Sequence, residues 1–422
     1  MRTVRIMLTY LLFPWVSPFL FLHPKLKAGF LERFGLNTMP APKKGPTLWL
    51  HGASAGDVLA LVPTAKALRA IYPDASLIVT AMTDSGFAMA KQQAQVFDHI
   101  RYIPWDLPGA VRRTLNGLQP DAIILEFAEL WPELLHQASK NNVQVVLHNG
   151  RFSRERLERY RRMFRLTGNL VEQLTMLLVR DQEEKVRAMV LGALPESIHT
   201  TGNTKFDHLK EPPNPVHLTA FRGEINHTGL GPVLVAGSTH DGEEEILLET
   251  LSNLRVQYPT LKLIIAPRYI DRSSRLGDLG EKYRFKTSLR TQSPKDWDVL
   301  ILDTVGELSL AYALGTVVFV GGSINDRGGH NIVEPALCGK PVIFGPYMSN
   351  VEDSVKLLLG RGGLQISNPE QLVRVLGDLL GDSEKCKLLG EKAASQARSV
   401  QGAAAQNATH ISAMLNQRQA PT

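Results

Sequence analysis

The chain has 422 residues, of which 44% are hydrophobic and 21% charged, and its formal net charge is +6. This composition is typical of globular proteins and excludes collagen-like or largely disordered structure. The two cysteines, Cys338 and Cys386, are too few for a disulfide framework or a cysteine metal site. The length predicts two or three domains. The modest positive charge suits an anionic membrane or substrate, and without a recognisable binding motif it does not indicate nucleic acid.

The first predicted element is an uncharged, aromatic-rich stretch at residues 6–22. Its length is at the lower limit for a membrane-spanning helix. No small-residue cleavage site follows it, which argues against a signal peptide, and a buried helix is the other alternative. Pro14 and Pro18 would kink any helix here. We expect residues 1–45 to form a membrane-anchor or interfacial helix with a basic linker, and the rest of the chain to lie on the cytoplasmic side.

Strands then alternate with glycine-containing turns and helices. The strands are predicted at residues 47–51, 77–81, 121–125 and 143–147, and a helix is predicted at residues 58–71. Such alternation predicts a parallel sheet with helices on both faces. It defines a first domain over residues 46–210.

A second series of strands follows a stretch rich in proline and glycine. That stretch, residues 211–231, is predicted to be an interdomain linker. The later strands are predicted at residues 232–236, 261–267, 299–303, 316–320 and 341–344 of a domain over residues 232–422, which ends in a helix. The expected fold is therefore α/β, with two doubly wound, Rossmann-like domains facing a cleft and ligands at the carboxyl ends of the strands.

The richest motif of the second domain covers residues 319–346. A buried strand ends in Gly321, further glycines follow, and a helix begins near Asn331. Glycines let a ligand approach the backbone, and free N–H groups at a helix start attract phosphate. Glu334, one turn into the helix, is placed to accept hydrogen bonds from ribose hydroxyls. The alternative is a tight turn with a capping asparagine.

Three more strand ends of this domain suit a phosphorylated ligand. Ser238 and Thr239 follow one strand, Arg268 follows the next, and residues 303–308 form a further strand-to-helix turn. A strand-end arginine can pair bidentately with phosphate. Helix capping and an ordinary surface arginine are the alternatives. Four such turns in one domain predict a nucleotide site.

In the first domain, residues 51–57 form the equivalent turn. Asp57 begins the following helix and is placed to act as a general base on a hydroxyl. Its alternative role is to complement the helix dipole. A separate Asp-Trp-Asp triplet at residues 296–298 resembles a metal-binding Asp-x-Asp motif. It lies between Ser-Pro-Lys and a strand, so we interpret it as a loop and predict no metal.

Short segments along the chain carry a family resemblance. They read LERFG, HGASAGD, AELWP, NGRFS, GNTKFD, GSTHDGEE, PR and DTVGEL, and they end in the block FVGGS…GGHN…EP…GKPVIFGP. In these segments the chain resembles the bacterial 3-deoxy-D-manno-octulosonic acid (Kdo) transferases, which have the two-domain GT-B glycosyltransferase fold. The resemblance implies an inverting, metal-independent transfer of Kdo from CMP-Kdo to the lipid A precursor lipid IVA, in lipopolysaccharide biosynthesis. It implies no cofactor besides this donor, and as partners the anionic glycolipid acceptor and the inner membrane, at its cytoplasmic face.

The resemblance also assigns roles to residues that match the family's motifs. Asp57 occupies the position of the catalytic base. The donor-binding positions are Ser238, Thr239 and Arg268 near phosphate, Gly306 and Glu307 beside the nucleotide, and Asn331 and Glu334 on the donor, the latter through its ribose. The acceptor-binding positions are Ser54, Gly56, Glu129, Arg151 and Lys205.

Several residues depart from the family's motifs. Asp57 stands where the family usually has glutamate, and its shorter side chain reaches about 1.5 Å less far, to which base catalysis is sensitive. Phe127 removes an acid from the family's E-T-E-L-W-P-N segment, and Gly150 and Tyr269 replace an alanine and a histidine. Two alternatives follow: a nucleotide-sugar epimerase or hydrolase on the same scaffold, and a non-catalytic relative that binds a CMP-sugar. An apolar N-terminal segment would serve no purpose in an epimerase.

Overall fold

The computed structural model describes Leu11, Trp15 and residues 28–37, 44–209 and 211–419. The predicted membrane anchor at residues 6–22 lies outside the described residues, apart from those two positions. In the part of the chain that is described, no helix has the length and apolar character that crossing a membrane requires.

The chain divides into two compact units. Unit 1 comprises Met1–His208 together with Gln401–Thr422, and unit 2 comprises Leu209–Val400. Each unit has its own parallel sheet and its own hydrophobic core. The prediction of two Rossmann-like α/β units is therefore confirmed.

Unit 1 is built on a parallel sheet with helices on both faces. Its strands are β1 (Thr47–Gly52), β2 (Ser76–Ala81), β3 (His99–Tyr102), β4 (Ala122–Glu126), β5 (Gln144–Gly150), β6 (Met176–Val179) and β7 (Ile198–Thr200). Its helices are α1 (Phe30–Arg33), α2 (Ala55–Ile71), α3 (Asp84–Gln92), α4 (Pro108–Leu118), α5 (Pro132–Lys140), α6 (Leu157–Thr167) and α7 (Gln182–Val190). Within the described residues the strand order is β3-β2-β1-β4-β5-β6-β7. The order reverses between β1 and β4, the point at which such sheets bind ligands.

The strands of unit 1 are apolar because both faces of the sheet are covered. Every residue of β1 is buried. Leu48 and Leu50 pack in one core cluster with Leu61 of α2. Trp49 points to the other face, where it packs in a second cluster with Leu134 of α5. Burial of each such side chain contributes about 1.5–3 kcal/mol, so the end of β1 and the start of α2 are held firmly.

The LERFG segment has a structural role in unit 1. The Arg33 side chain is 1% exposed and donates hydrogen bonds to the carbonyl oxygens of Ala28 (2.8 Å) and Met82 (2.7 Å). Its guanidinium also lies 4.6 Å from the ring of Tyr102 and 5.0 Å from that of Trp105. Burial lowers the pKa of Arg33 below its usual value. These contacts tie α1 to the sheet edge near β3.

Unit 2 repeats the architecture. Its strands are β8 (Val233–Thr239), β9 (Lys262–Pro267), β10 (Thr287–Leu289), β11 (Val299–Ile301), β12 (Val317–Val320), β13 (Val342–Phe344) and β14 (Gly363–Gln365). Its helices are α8 (Pro215–Glu224), α9 (Glu243–Arg255), α10 (Ser273–Lys282), α11 (Leu308–Leu314), α12 (Val333–Leu337), α13 (Glu352–Leu358), α14 (Pro369–Gly381) and α15 (Ser383–Ser399). The strand order among the described residues is β10-β11-β9-β8-β12-β13-β14, and it reverses between β8 and β12.

The predicted linker at residues 211–231 is not an irregular segment throughout, because it contains helix α8. The side chain of Asn214 accepts a hydrogen bond from the backbone N–H of Val216 at 2.9 Å and so caps the helix, and Pro215 occupies the first turn. Both residues favour a helix start. Phe221 of α8 is buried in unit 2. One of the prolines that suggested a linker, Pro215, instead marks the start of a helix.

The last helix also differs from the predicted division, which placed all of residues 232–422 in the second domain. Helix α16 (Ala403–Gln419) packs on α2 of unit 1. The hydroxyl groups of Tyr72 and Ser412 lie 2.8 Å apart, and the carboxylate of Asp207 accepts a hydrogen bond from the backbone N–H of Gly402 at 2.5 Å. An apolar helical pattern reveals a buried face but not the surface that buries it.

Five strands were not predicted from the sequence: β3, β6, β7, β10 and β14. Each of these strands has only three or four residues. Four of them are the edge strands of the two sheets and are only partly buried, whereas β6 is buried at every position. Such short strands leave too few residues for a periodic pattern. The central strands were predicted because they are buried on both faces.

Candidate active site

In unit 2, the structure brings together the ends of the neighbouring strands β8 and β12. The backbone N–H of Gly321, which follows β12, donates to the carbonyl oxygen of Gly237 at 2.8 Å. A Cβ atom at Gly321 would lie only 2.6 Å from the carbonyl oxygen of Ser238 and from the Cα of Thr239. Glycine is therefore required for this close approach. The two turns predicted to bind a nucleotide are thus in direct contact.

Ser238 interrupts strand β8 with a β-bulge. Its φ is +57°, in the left-handed region, and the pairing of β8 with β9 shifts register between Gly237 and Thr239. The backbone N–H of Arg268 donates to the carbonyl oxygen of Thr239 at 3.0 Å. The Arg268 side chain is exposed, and its guanidinium lies 5.9 Å from the ring of Tyr269. Ser238, Thr239 and Arg268 therefore share one edge of the sheet, as predicted from their strand-end positions.

Glu243 organises this edge, although it is not among the residues selected from the sequence. Its side chain is 0% exposed. Its carboxylate accepts backbone hydrogen bonds from His240 (3.0 Å), Gly322 (2.8 Å), Ser323 (3.0 Å) and Ile324 (3.0 Å). Three of these donors belong to the loop after β12. One buried carboxylate therefore connects the β8 turn to the glycine-rich loop.

Two histidines pack against each other beside this loop. The Nε2 atoms of His240 and His330 lie 2.9 Å apart, and their rings are stacked with centroids 5.2 Å apart. Burial lowers the pKa of both imidazoles below the usual value. Nearby arginines lower the pKa of His240 further, and the charges of His240 and Arg268 lower that of His330 further. A hydrogen bond between two imidazoles requires one neutral acceptor nitrogen. Sequence analysis assigned neither histidine a role.

Asn331 and Glu334 lie where the block after β12 enters α12. The Asn331 side-chain oxygen accepts a hydrogen bond from the backbone N–H of Val333 at 2.9 Å, in the turn that leads into α12. Glu334 is half-buried. Its charge adds to the effect of burial in raising the pKa of Tyr312. The Tyr312 hydroxyl oxygen lies so close to Gly237 of β8 that a Cβ at that glycine would be 2.0 Å from it. Tyr312 is therefore a shared neighbour of Glu334 and of strand β8.

Gly306 and Glu307 lie at the end of β11, which is separated from β8 by β9 in the sheet. Gly306 is exposed and has a φ of +96°. The Glu307 carboxylate accepts hydrogen bonds from Nε and Nη2 of Arg290, at 3.2 and 2.9 Å, and one from the hydroxyl of Thr304. Glu307 is thus engaged by Thr304 of its own turn and by Arg290, which directly follows β10.

The Asp-Trp-Asp triplet forms a loop before β11, as predicted. Asp296 pairs with Nζ of Lys286 at 2.6 Å, and Asp298 pairs with Nη1 of Arg255 at 2.6 Å. Trp297, which separates the two aspartates in the sequence, is fully buried. Both carboxylates therefore serve as partners of basic side chains in unit 2.

In unit 1, Asp57 occupies the first turn of α2 beside the end of β1. Its Oδ2 atom accepts a hydrogen bond from the backbone N–H of Ser54 at 2.8 Å, and the two residues form a capping box. The Asp57 Oδ1 atom has no hydrogen-bond partner among the described residues. Gly52 is required here, because a Cβ at that position would lie 2.7 Å from the backbone N of Val58. Gly56 is exposed in the same turn.

A buried polar network lies behind Asp57. The carboxylate of Glu126, at the end of β4, is 0% exposed and lies 2.5 Å from Nδ1 of His148. It also accepts a hydrogen bond from the side-chain amide of Asn149 at 2.8 Å. Burial raises the pKa of Glu126; the hydrogen bonds from His148 and Asn149 oppose this shift, and the charge of Asp57 adds to it. Glu126 is thus within electrostatic reach of the predicted base, and sequence analysis did not select it.

This network also positions the neighbouring predicted residues. The Asn149 amide donates to the hydroxyl of Thr204 at 2.7 Å, and that hydroxyl donates to the carbonyl oxygen of Ala60 in α2 at 2.7 Å. Arg151 lies two residues after Asn149, and Lys205 directly follows Thr204. These two basic residues are therefore held near the start of α2 through their chain neighbours.

Glu129 lies beside the end of β1. Its Oε2 atom accepts a hydrogen bond from Nε1 of Trp131 at 3.0 Å and lies 3.7 Å from Nε2 of the buried His51. Phe127 adopts a left-handed φ of +55°, which turns the chain sharply after β4. Glu129 is thereby brought to the same edge of the sheet as the Ser54–Asp57 turn.

The two units define a protein of the Rossmann-like class that binds ligands at the carboxyl ends of parallel strands. The fold is similar to that of UDP-GlcNAc 2-epimerase from Neisseria meningitidis, with a TM-score of 0.55 and 13% identity over 88% of this chain and 100% of that chain. At this level of identity the likeness shows the fold alone.

Sequence relationships are more specific. Residues 28–208 match the family model described as 3-deoxy-D-manno-octulosonic-acid transferase (kdotransferase). The chain is 31% identical to the 3-deoxy-D-manno-octulosonic acid transferase of Haemophilus influenzae over 87% of each chain. It is 29% identical to the transferase of that name from Chlamydophila psittaci, over 86% of this chain and 84% of that protein. The chain therefore belongs to the 3-deoxy-D-manno-octulosonic acid transferase family of glycosyltransferases, and the predicted family is confirmed.

Proposed function

We propose that the protein transfers Kdo from CMP-Kdo to an anionic lipid A precursor in lipopolysaccharide biosynthesis. The observation that carries this proposal is the relationship to the H. influenzae transferase, which is 31% identical over 87% of both chains. A match of that length includes residues of both units, and so of both sheet edges described above.

The carboxyl edge of the unit 2 sheet is assigned to the donor. Ser238 and Thr239, in the bulge, and the exposed Arg268 are proposed to bind phosphate, since arginine and free backbone N–H groups are suitable partners for it. Gly306 and Glu307 are assigned to the nucleotide. Asn331 and Glu334 are assigned to the rest of the donor, Glu334 through the ribose hydroxyls. The buried carboxylate of Glu243 supports this assignment because it keeps the turns in place.

The carboxyl edge of the unit 1 sheet is assigned to the acceptor. In the proposed step, Asp57 takes the proton of an acceptor hydroxyl while that oxygen forms a bond to the anomeric carbon of the sugar. The bond from this carbon to the phosphate oxygen breaks, and its electron pair leaves with CMP. Attack opposite the leaving group inverts the configuration. The free Oδ1 atom of Asp57 suits this role, since Oδ2 is held by Ser54.

The acceptor is expected to be negatively charged, and unit 1 offers a basic surface for it. The segment at residues 151–165 contains seven arginines and two glutamates. All of these arginine side chains are exposed. Such a surface attracts phosphate groups of a glycolipid and an anionic membrane. Ser54, Gly56, Glu129, Arg151 and Lys205 are proposed acceptor contacts, at the cytoplasmic face of the inner membrane.

A second candidate function is binding of a CMP-sugar without catalysis. The capping box favours this alternative, because Asp57 already has a local structural role. It is also shorter than the glutamate usual in the family. Under this alternative the donor edge of unit 2 would be intact and the base would be absent.

The test uses the purified full-length protein with CMP-Kdo and lipid IVA. We expect CMP to be released only when both substrates are present, and release to be lost in Asp57→Asn. Glu183→Gln, at an exposed position of α7, is the matched control and should retain activity. Measurable CMP binding by the wild type without CMP release would contradict the transferase proposal and favour the non-catalytic alternative.

A further inference from the structure

Unit 2 contains a cavity at the edge of its sheet opposite the candidate active site. The volume of this cavity is about 580 Å³. It is lined by Val233 at the start of β8, and by Thr316 and Pro341, which immediately precede β12 and β13. The donor residues assigned above lie at the other ends of the same strands. The cavity is therefore separate from the proposed donor site, and a ligand bound in it would be additional to the proposed donor.

The charged side chains that line the cavity are all cationic. Arg222, Lys340 and Lys387 contribute to the lining, and the lining residues include no aspartate or glutamate. Lys340 is half-buried, and none of the three cations forms an ion pair with a carboxylate among the described residues. Burial lowers the pKa of Lys340, and the charge of Arg222 lowers it further. Arg222 and Lys387 are exposed, so the lining offers one half-buried and two exposed cations without a carboxylate partner, which is a favourable site for an anion.

The amino end of a long helix reaches the same cavity. Ser383 and Cys386 belong to the first turn of α15, which has 17 residues, and both line the cavity. The positive end of a helix dipole favours a negatively charged ligand. Asp382 caps the helix by accepting a hydrogen bond from the backbone N–H of Lys385 at 2.9 Å, and it does not line the cavity.

A buried histidine adjoins the cations. His227 lines the cavity and is 6% exposed. The backbone N–H of His227 donates to the carbonyl oxygen of Arg222 at 3.0 Å, so the histidine is held beside one of the cations.

The remaining walls of the cavity are apolar. They include Tyr258, Leu314, Leu379 and Leu380. The volume is within the range of small-molecule sites, about 300–1,000 Å³, and far exceeds the needs of a bare inorganic ion. We propose that this cavity is a second ligand site, which binds a small organic phosphate. Its phosphate would lie among Lys340, Arg222 and the start of α15, and its organic part against Tyr258 and Leu379.

In the test, the full-length protein is titrated with glycerol 3-phosphate, and binding is measured by ³¹P NMR and by calorimetry. We expect saturable binding by the wild type and a loss of affinity of about tenfold or more in Lys340→Met, since a charge-assisted hydrogen bond is removed. Lys387→Met should also weaken binding. Because Lys387 is exposed, this variant tests the site even if Lys340→Met does not fold. Lys392→Met is the matched control, because Lys392 lies on α15 outside the cavity and should leave affinity unchanged.

Two further comparisons separate this site from other sources of binding. Arg268→Gln alters the proposed donor site and should not change binding of glycerol 3-phosphate. Equal losses in Lys340→Met and Lys392→Met, or loss in Arg268→Gln alone, would overturn the proposal. The absence of binding at millimolar glycerol 3-phosphate would also overturn the proposal. So would a protein that binds phosphatidylglycerol vesicles but not free glycerol 3-phosphate.

Discussion

Replacement of Glu243 by glutamine tests how the donor edge of unit 2 is held together. The Glu243 carboxylate is fully buried and accepts four backbone hydrogen bonds, two at each oxygen. Glutamine has nearly the same shape but keeps only one acceptor oxygen. Whichever way the amide is oriented, its NH₂ group faces two backbone N–H donors. Glu243→Gln therefore removes two charge-assisted bonds and makes the other two neutral.

The size of the effect follows from these bonds. A hydrogen bond to a charged group contributes about 1.5–3 kcal/mol, so the loss of two costs about 3–6 kcal/mol. In a unit of the size of unit 2, each kcal/mol lowers the melting temperature by about 2–4 °C. We expect the transition of unit 2 to fall by at least about 6 °C. We also expect CMP affinity to drop at least about tenfold at a temperature where the variant is folded.

Calorimetric unfolding and isothermal titration with CMP measure these two effects. The matched control is Glu249→Gln, which lies on an exposed position of the same helix α9. It should change neither quantity appreciably. A Glu243→Gln protein with the melting temperature and CMP affinity of the control would refute the conclusion that this carboxylate holds the two turns together.

Three further predictions concern the two sheet edges. Asp57→Asn should abolish transfer while CMP affinity stays within about twofold of wild type; retained transfer in this variant would move the base to another residue. The pKa values of His240 and His330 are lowered below 6.5 in the folded protein, so the unfolded chain takes up protons at these histidines first as pH falls. The contribution of the two histidines to the free energy of unfolding is therefore constant above about pH 6.5 and decreases as pH falls below that value. Denaturant titrations at several pH values should show this decrease, and it should be smaller in His330→Gln; an unchanged slope would contradict the assignment. Gly237→Ala should destabilise unit 2 by about 1–3 kcal/mol, since its Cβ would lie 2.0 Å from the hydroxyl oxygen of Tyr312, and a wild-type melting temperature would show that Tyr312 moves freely.

Much of the fold could be predicted because parallel sheets bury both faces of their strands. The runs that became β1, β8 and β12 have continuous apolar stretches, and a glycine-containing turn follows each stretch. Such runs identify the strands and their carboxyl ends, and hence where ligands bind. The unit to which α16 belongs could not be predicted, because its apolar face is compatible with either core.

The residues that hold the site together were harder to predict than those expected to contact ligands. Glu243 stands among several acids at the start of α9, and its burial depends on a loop about 80 residues later. Glu126 had a signal that went unused, since it ends an otherwise apolar strand in which a charged residue needs a partner. Its partner His148 lies directly opposite it on the neighbouring strand β5. The pairing of two polar residues across neighbouring strands is a contact that spacing along the chain does not reveal.

The local role of Asp57 was within reach of the sequence. Ser54 and Asp57 are three residues apart at the start of a helix, which is the spacing of a capping box. The structure realises that arrangement. A capping role and a catalytic role use different oxygens of the carboxylate, so the geometry accommodates both. The proposal that Asp57 is the base therefore depends on activity measurements.

The most direct test of the central claim is mass spectrometry of lipid IVA after incubation with the purified protein and CMP-Kdo. We expect the glycolipid to gain the mass of one or more Kdo residues, with one CMP released for each residue added. An unmodified glycolipid after incubation with a folded, CMP-binding protein would contradict this expectation.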